Sequence, residues 1–312
     1  MNSLNLSTSI PAIEVNDLEV IFGNITALSG IQFKVPFGSI TGLVGPNGAG
    51  KTTLIRVLAT LLVPSRGSAK VAGLDVLNQT KEVRKLIGYM PDSLGIYQDM
   101  KVNEYLRFFA RAYGLGKTET SNYIEYALEI SNLTERANSF IEELSSGMRS
   151  KLSFVRSLAG NPEVLLLDEP LANLDPVTRA EMRKIISTMR TQGKCVLISS
   201  HQLEDIEKIC DGVIFIHKGK IIEEKKEDLI LYSFQPSKIE KNIEEIIKGI
   251  KGVSSVFYIG EEKRFIIQLK ADANPAEIIR EITEHNIDIL EWRKIIPTLE
   301  ERLLKVLKEV KT

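Results

Sequence analysis

The chain has 312 residues, of which 43% are hydrophobic and 26% charged, and its formal net charge is −1. This length allows two domains with sizeable cores, and the near-neutral charge argues against a protein drawn to nucleic acid by a global field. The two cysteines lack metal-ligand spacing, and two free thiols favour a reducing compartment. No secretory signal peptide is recognisable, and no apolar run is long enough to span a bilayer.

Residues 1–222 contain two different patterns of predicted strands. "IEVNDLEVIF", "IQFKVPFGSITGLVG" and "GSAKVAGLDV" alternate apolar and polar residues between glycines, which predicts antiparallel strands. Further on, the apolar runs "EVLLLDEP" and "KCVLISS" alternate with the helical stretches "PVTRAEMRKIISTMRTQG" and "QLEDIEKICDG". This alternation predicts a parallel sheet covered by helices on both faces. Between the two patterns, residues from about 93 to 150 are predicted to form an α-helical subdomain.

From residue 223 to 312 the composition shifts to Lys, Glu and Ile. "VSSVFYIG", "RFIIQLK" and "IDILEWRKI" are predicted strands, whereas "NPAEIIREITEHN" and "PTLEERLLKVLKEV" are predicted helices. The segment 223–312 is therefore predicted to be a separate, small C-terminal α+β domain.

The stretch "GPNGAGKTT" follows the predicted strand "SITGLV" and fits the phosphate-binding pattern G-x-x-x-x-G-K-[ST]. Its glycines let backbone N–H groups turn inward around phosphates, Lys51 brings a positive charge to the β- and γ-phosphates, and Thr52 offers a hydroxyl to Mg²⁺. A nucleotide with Mg²⁺ is the predicted ligand. The predicted nucleotide-binding residues of this loop are Gly45, Pro46, Asn47, Gly48, Ala49, Gly50, Lys51, Thr52 and Thr53.

Three further side chains follow predicted strands of the same sheet. Asp168 ends "EVLLLD" at the edge where α/β sheets bind ligands, so it is predicted to hold Mg²⁺ through its hydration shell. Glu169 is placed to polarise an attacking water. His201 ends "KCVLISSH" and could donate to a γ-phosphate, or it is simply the residue that starts the next helix.

A second glycine-containing turn, "LSSGM", opens the helix that follows the predicted helical subdomain. With the other motifs, it makes residues 13 to 222 resemble the nucleotide-binding subunits of ATP-binding-cassette (ABC) transporters. The resemblance implies an α/β fold: a P-loop NTPase core, in which a RecA-like parallel sheet is joined by an antiparallel β subdomain, with an α-helical subdomain. It also implies that ATP is bound and hydrolysed with Mg²⁺.

In that family two subunits pair head to tail around two ATP, and the "LSSGM"-type signature loop of one subunit caps the ATP of the other. The resemblance implies a second ATPase subunit as partner, either identical or a close paralogue. Phe22 matches the aromatic residue that stacks on adenine, although a core phenylalanine is the alternative. Asp175 matches the loop at the dimer seam, and His201 matches the switch histidine. The signature residues that would contact the partner's ATP are Ser145, Ser146 and Gly147.

The chain departs from the family pattern at several positions, among them Asp92 and Ser146. Asp92, in "IGYMPD", stands where the family usually has glutamine, and Ser146 stands where glycine is usual. A carboxylate can ligate Mg²⁺ but cannot donate a hydrogen bond, so we expect altered metal preference or slower turnover. Asp92 is counted with Glu169 and His201 among the predicted catalytic residues. An ATP-gated regulatory subunit with little turnover remains an alternative.

The family resemblance also implies integral membrane transporter subunits as partners, with this chain peripheral at the cytoplasmic face of the cell membrane. "SLGIYQDMKVNEYLRFF" is the predicted docking face, with Tyr97, Met100 and Val102 as candidate contacts. The core of the helical subdomain is the alternative for these three side chains. The C-terminal domain resembles the short tail of exporter ATPases, which favours export. A soluble cassette ATPase acting on ribosomes or DNA is the other alternative, but no nucleic-acid partner is expected.

Overall fold

The computed structural model describes residues 10–92, 99–222, 230–239, 242–260, 263–270 and 272–295. The chain folds as two compact units, Met1–Glu223 and Glu224–Thr312.

An antiparallel sheet opens the first unit. Its strands are β1 (Ile13–Phe22), β2 (Ile25–Val35), β4 (Arg66–Val71) and β5 (Leu74–Asp75). They lie in the order β2-β1-β4-β5. Ile13 and Val15 are fully buried, as the alternation along this stretch predicts. An irregularity in the pairing with β2 between Val15 and Leu18 shifts the alternation, and Leu18 is fully buried as well.

The second sheet of this unit is mainly parallel. Its strands are β3 (Ile40–Val44), β6 (Ile87–Met90), β7 (Val164–Leu167), β8 (Cys195–Ser200), β9 (Gly212–His217) and β10 (Lys220–Ile222). They lie in the order β10-β9-β3-β8-β7-β6, and only the β9–β10 pair is antiparallel. Because β3, β8 and β7 are adjacent and parallel, the residues that follow them meet at one edge of the sheet.

The placement of β3 corrects the sequence analysis, which grouped "SITGLV" with the antiparallel strands. β3 pairs in parallel with both β8 and β9, and all five of its residues are buried. A strand covered on both faces needs continuous small or apolar residues instead of alternation, and "ITGLV" meets that need.

Seven α-helices accompany these sheets in the described part of the first unit. They are α1 (Lys51–Leu58), α2 (Thr80–Leu86), α3 (Val102–Ala112), α4 (Lys117–Ile130), α5 (Ser146–Ser157), α6 (Pro176–Thr191) and α7 (Leu203–Ile209).

The helical region is built on α3 and α4, and the Tyr123 hydroxyl donates to the Val155 carbonyl of α5 at 2.8 Å. Val102 is fully buried, so it belongs to the core of this region and the expectation of a docking contact there is wrong. Met100 is half-buried, and Tyr97 lies outside the described residues.

The second unit follows a β–α–β–β–α–β order, the arrangement of ferredoxin-like domains. Its elements are β11 (Ile230–Pro236), α8 (Ile243–Gly249), β12 (Val253–Ile259), β13 (Arg264–Leu269), α9 (Pro275–Glu284) and β14 (Ile289–Ile295). The antiparallel sheet has the order β12-β13-β11-β14, around a core that includes Phe234, Phe265 and Ile282. β11 and α8 were not predicted from the sequence, and the predicted final helix lies outside the described residues.

Candidate functional site

The phosphate-binding loop joins β3 to α1. Gly48 and Gly50 have φ angles of 76° and 110°, in the left-handed region that favours glycine. A Cβ on Gly45 would collide with the carbonyl oxygen of Ile216 in β9, so only glycine lets the loop pass this strand. The side chain of Lys51 is buried, and its Nζ donates to the Gly45 carbonyl at 2.7 Å. The loop therefore forms a closed turn with a cation in its interior.

The outer turn of this loop faces solvent. Pro46, Asn47 and Gly48 are exposed, whereas Ala49 is buried beneath them and its N–H donates to the Pro46 carbonyl at 3.1 Å. Thr53 is half-buried in the first turn of α1. A phosphate can thus approach the loop from its exposed side.

Asp168 and Thr52, both predicted to hold Mg²⁺, are brought together by the fold. Asp168 directly follows β7, and its N–H donates to the Met90 carbonyl at 2.9 Å. Its Oδ1 accepts hydrogen bonds from Ser199 Oγ at 2.8 Å and from Thr52 Oγ1 at 3.2 Å. The side chain is held by Ser199 of β8 and by Thr52 in the first turn of α1, while the backbone is held by β6.

The carboxylate of Asp168 has an unusual environment. Burial, followed by the nearby charges of Asp92 and Glu169, raises its pKa, while the hydrogen bonds from Ser199 and Thr52 oppose that rise. Its Oδ2 is buried and finds no hydrogen-bond partner among the described residues, which is costly for a polar atom. A hard divalent cation would satisfy this oxygen. Asp168 and Thr52 therefore fit Mg²⁺.

A complete metal site is not formed by side chains alone. Among the described residues, no three His, Cys, Asp or Glu side chains are grouped so as to hold a metal ion. Mg²⁺ commonly takes one or two carboxylates and fills its remaining positions with water and substrate phosphates. The arrangement suits a Mg²⁺ ion that arrives with a nucleotide.

Glu169 lies between two cationic or polar partners. Its Oε2 is 2.9 Å from His201 Nδ1, its Oε1 is 3.4 Å from Lys51 Nζ, and its side chain is 14% exposed. Its backbone has a φ of 51°, a left-handed conformation that is uncommon outside glycine and recurs at functional sites. An ionised carboxylate only accepts hydrogen bonds, so in the tautomer that bonds to such a carboxylate His201 Nδ1 carries the proton. His201 Nε2 then donates to a phosphate only when the ring is doubly protonated.

Ser199 is a site residue that the sequence analysis missed. It is fully buried in β8, and its Oγ accepts the Glu169 N–H at 2.8 Å while donating to Asp168. The available signal was the pair of serines at the end of an otherwise apolar strand, just before His201. Asp92, by contrast, is exposed after the end of β6.

The signature loop forms the N-terminus of α5. Ser145 is the N-cap residue, and its Oγ accepts the Met148 N–H at 3.2 Å. Ser145 and Ser146 are exposed, whereas Gly147 is buried. A Cβ on Gly147 would lie 2.7 Å from Thr178 Cγ2 in α6, so glycine is needed here for packing within the subunit as well.

The two remaining predicted residues lie at element ends. Phe22 ends β1 in the hairpin with β2 and is 50% exposed, so it is not a core phenylalanine. Asp175 is the N-cap of α6, and its Oδ1 accepts the N–H groups of Val177 and Thr178 at 3.0 Å each. Hydrogen bonds from Thr178 lower the pKa of this carboxyl. Both side chains are available to a ligand or partner.

Comparison with known proteins identifies the family. The family model described as "ABC transporter" matches residues 28–172. An uncharacterized ABC transporter ATP-binding protein of Methanocaldococcus jannaschii is 35% identical over 260 residues, covering 83% of this chain and 95% of that protein. The chain belongs to the ABC transporter ATP-binding proteins. The predicted family is thus confirmed.

Two further similarities concern a named exporter and the fold. The Nod factor export ATP-binding protein I of Burkholderia orbicola is 33% identical over 216 residues, covering 69% of this chain and 71% of that protein. A solved ATP-binding subunit of an ABC transporter has a TM-score of 0.63 and 29% identity, covering 68% of this chain and 88% of that one. The predicted α/β P-loop fold is confirmed, and ATP is the nucleotide of this ABC protein. Within the described residues, no helix combines the length and apolar character needed to cross a membrane.

Proposed function

We propose that the chain hydrolyses ATP as one of two paired subunits and drives export through separate membrane subunits. The observation that carries this proposal is the tethered carboxylate of Glu169, held by His201 and Lys51 beside the phosphate-binding loop. A carboxylate fixed there is suited to accept a proton from the water that attacks the γ-phosphate. We therefore assign Glu169 as the general base.

The residues around Glu169 take supporting roles in this proposal. Lys51 stabilises the negative charge of the β- and γ-phosphates, while Thr52 and Asp168 hold Mg²⁺. When bound, this ion neutralises charge on the phosphate oxygens. His201 orients Glu169 through its Nδ1, and only a doubly protonated ring could also donate to the γ-phosphate. Asp92 offers a further carboxylate on the metal side, where it can accept but cannot donate.

The second subunit would complete each ATP site. Ser145 and Ser146 are exposed at the N-terminus of α5, and the first turn of this helix contains no acidic residue. Its partial positive charge is therefore available to a phosphate. We propose that Ser145, Ser146 and the backbone at Gly147 cap the partner's ATP, that Asp175 lies at the seam, and that Phe22 stacks on adenine.

Membrane subunits would dock on the helical region. A cavity of about 580 Å³ lies where α1, α2, β6, α3 and α5 approach one another. Its apolar lining includes Leu61, Phe109 and Tyr113, and Leu61 is 57% exposed. An open cavity with such a lining can receive a short helix of a partner. The chain would then lie peripherally on the cytoplasmic face of the membrane.

The Burkholderia relative named for Nod factor export supports export as the direction of transport. We propose that residues 223–312 form an accessory domain that regulates the ATPase or supports the dimer, since the described site residues all precede it.

The test compares wild type with Glu169→Gln and, as matched control, Glu163→Gln. Both glutamates flank β7, but Glu163 is exposed at its opposite end. We expect Glu169→Gln to lower kcat about 10²–10⁴-fold and to keep ATP binding, while Glu163→Gln behaves as wild type. An undiminished kcat in Glu169→Gln would remove Glu169 as the base, and a wild type that binds ATP without turnover would favour the regulatory subunit.

A second experiment tests the membrane partner. The Glu169→Gln variant with Mg-ATP is purified from gently solubilised native membranes, and the proteins that accompany it are identified. A stoichiometric multi-span protein is expected. Recovery of ribosomes, DNA or soluble proteins alone would contradict a role in transport, whereas the proposed ATP hydrolysis would still stand.

A further inference from the structure

One arginine connects the helical region to the strand that precedes Asp92. Arg156, in the last turn of α5, donates from one terminal nitrogen to the Tyr105 hydroxyl of α3 at 3.3 Å. Its other terminal nitrogen donates to the Tyr89 carbonyl of β6 at 3.3 Å. Its guanidinium carbon lies 5.2 Å from the centre of the Phe109 ring, also in α3. A single planar group therefore contacts two elements that belong to different parts of the unit.

The contact between α5 and β6 leaves no space for adjustment. A Cβ on Gly88 would collide with the carbonyl oxygen of Ser157, the residue after Arg156. Backbone lies directly against backbone at this point, with Arg156 bound to the next residue of β6. Interiors this closely packed transmit displacement instead of absorbing it. The end of α5 and β6 should thus move as one body.

β6 leads directly to the carboxylates on the metal side. The carbonyl of Met90 accepts the Asp168 N–H at 2.9 Å, and Asp92 follows two residues later. The path from α3 to these groups thus consists of Arg156, Tyr89, Met90 and Asp168, each joined to the next by a hydrogen bond or a peptide bond.

Arg156 also lines the cavity proposed for docking, together with Tyr89 and Phe109. A partner segment in that cavity would touch the guanidinium itself. We infer that Arg156 is a positioning residue that couples the helical region to β6, so that a displacement of α3 changes the placement of Asp92 and Asp168. The inference rests on the proposed function, because those carboxylates matter only if they serve the nucleotide and its metal.

Lysine cannot replace arginine in this role. The planar guanidinium presents several N–H donors in a fixed fork and stacks on aromatic rings, whereas an ammonium is a compact point charge. Arg156→Lys keeps the charge and most of the volume but cannot hold Tyr105, Tyr89 and the Phe109 ring at once. The matched control is Arg190→Lys, in the last turn of α6, where Arg190 pairs with Asp211 at 2.6 Å and contacts neither β6 nor α3 in the described structure.

The first readout needs no turnover. Hydrogen–deuterium exchange of the nucleotide-free full chain should rise in residues 87–92 of Arg156→Lys and stay unchanged in Arg190→Lys. In the Glu169→Gln background with ATP, Mn²⁺ binding followed by electron paramagnetic resonance should weaken about tenfold, the lower end of the range for outer-shell partners of a metal. The affinity for ATP without metal should remain within about twofold, because the phosphate-binding loop is untouched.

A double-mutant cycle distinguishes positioning from general destabilisation. If Arg156 acts through β6, the effects of Arg156→Lys and Asp92→Asn on Mn²⁺ affinity are not additive. Additive effects, or equal exchange in Arg156→Lys and Arg190→Lys, would overturn the inference. If wild type, assayed alongside these variants, bound Mn²⁺ and hydrolysed ATP normally, only the role of Arg156 would fall. A wild type without either activity would instead remove the proposed function.

Discussion

Replacing Ser199 by alanine removes one hydroxyl that serves two groups of the candidate site. The Oγ accepts the Glu169 N–H and donates to Asp168 Oδ1, both at 2.8 Å, inside a fully buried strand. A hydrogen bond to a charged group contributes about 1.5–3 kcal/mol and a neutral one about 0.5–1.5 kcal/mol. We therefore expect Ser199→Ala to lower the free energy of unfolding of the first unit by about 2–4.5 kcal/mol.

The assay is urea denaturation of the metal-free and nucleotide-free full chain. Far-UV circular dichroism reports both units, whereas the single tryptophan of the chain, Trp292, reports only the second unit. The circular-dichroism midpoint of the first unit should fall with an unchanged slope, while the fluorescence midpoint stays constant. Glu169 also loses the hydrogen bond from its N–H to Ser199, so its carboxylate is held less firmly. If the carboxylate is displaced by about 1 Å, kcat for ATP hydrolysis should fall by about 100-fold.

A matched control separates this effect from loss of any buried hydroxyl. Ser131, at the C-terminal end of α4, is fully buried as well, but within the described residues its Oγ donates only to the Ala127 and Leu128 carbonyls of that helix. Such a local bond adds little to helix stability, so Ser131→Ala should change the midpoint much less. If the two variants are equally destabilised, or if Ser199→Ala keeps full kcat, the reasoning about Ser199 is refuted.

Three further predictions follow from packing and charge. Gly147→Ala should destabilise the first unit by about 1–3 kcal/mol through overpacking against Thr178, and Thr178→Ala in the same chain should restore part of the loss; a thermal melt without such rescue would contradict the packing argument. Burial raises the pKa of Asp168, so the native state binds the extra proton and stability falls as pH rises from the ordinary Asp value through this raised pKa. Asp168→Asn should therefore have a higher melting temperature than metal-free wild type at pH 7. Near the ordinary pKa of an aspartate, the two melting temperatures should be equal. The same difference in melting temperature at both pH values would speak against ionisation of Asp168 as the cause. Asp205→Ala should lower the free energy of unfolding, measured by urea denaturation, by about 3–5 kcal/mol. The substitution leaves Arg183 without its acidic partner, because the Arg183 guanidinium lies 2.5 Å from the buried Asp205 carboxylate. A loss below about 1 kcal/mol would show that the pair contributes little to stability.

The sequence was sufficient for the elements that depend on local pattern. The phosphate-binding loop, the strand before Asp168 and the strand before His201 each have a signal within about ten residues of chain. Parallel strands end at one edge of a sheet, so their residues could be predicted to meet there. The errors have equally local causes: "ILYSFQP", which is β11, contains a proline that weakens a strand signal, and "IEEIIKG", which is α8, is too short for clear periodicity.

What the tertiary structure alone decided concerns partners that are distant in sequence. The pair of serines at the end of β8 draws attention to Ser199, but its neighbours in sequence do not indicate that its hydroxyl bonds to Glu169 and Asp168, some 30 residues away. Arg156 likewise joins Tyr105 and Tyr89, 51 and 67 residues before it. The sequence by itself determined which residue types stand at the strand ends, because secondary structure and turn chemistry are set by neighbours. The bonds that fix those residues in place are set by the direction of side chains across packed elements, and only the assembled fold defines that direction.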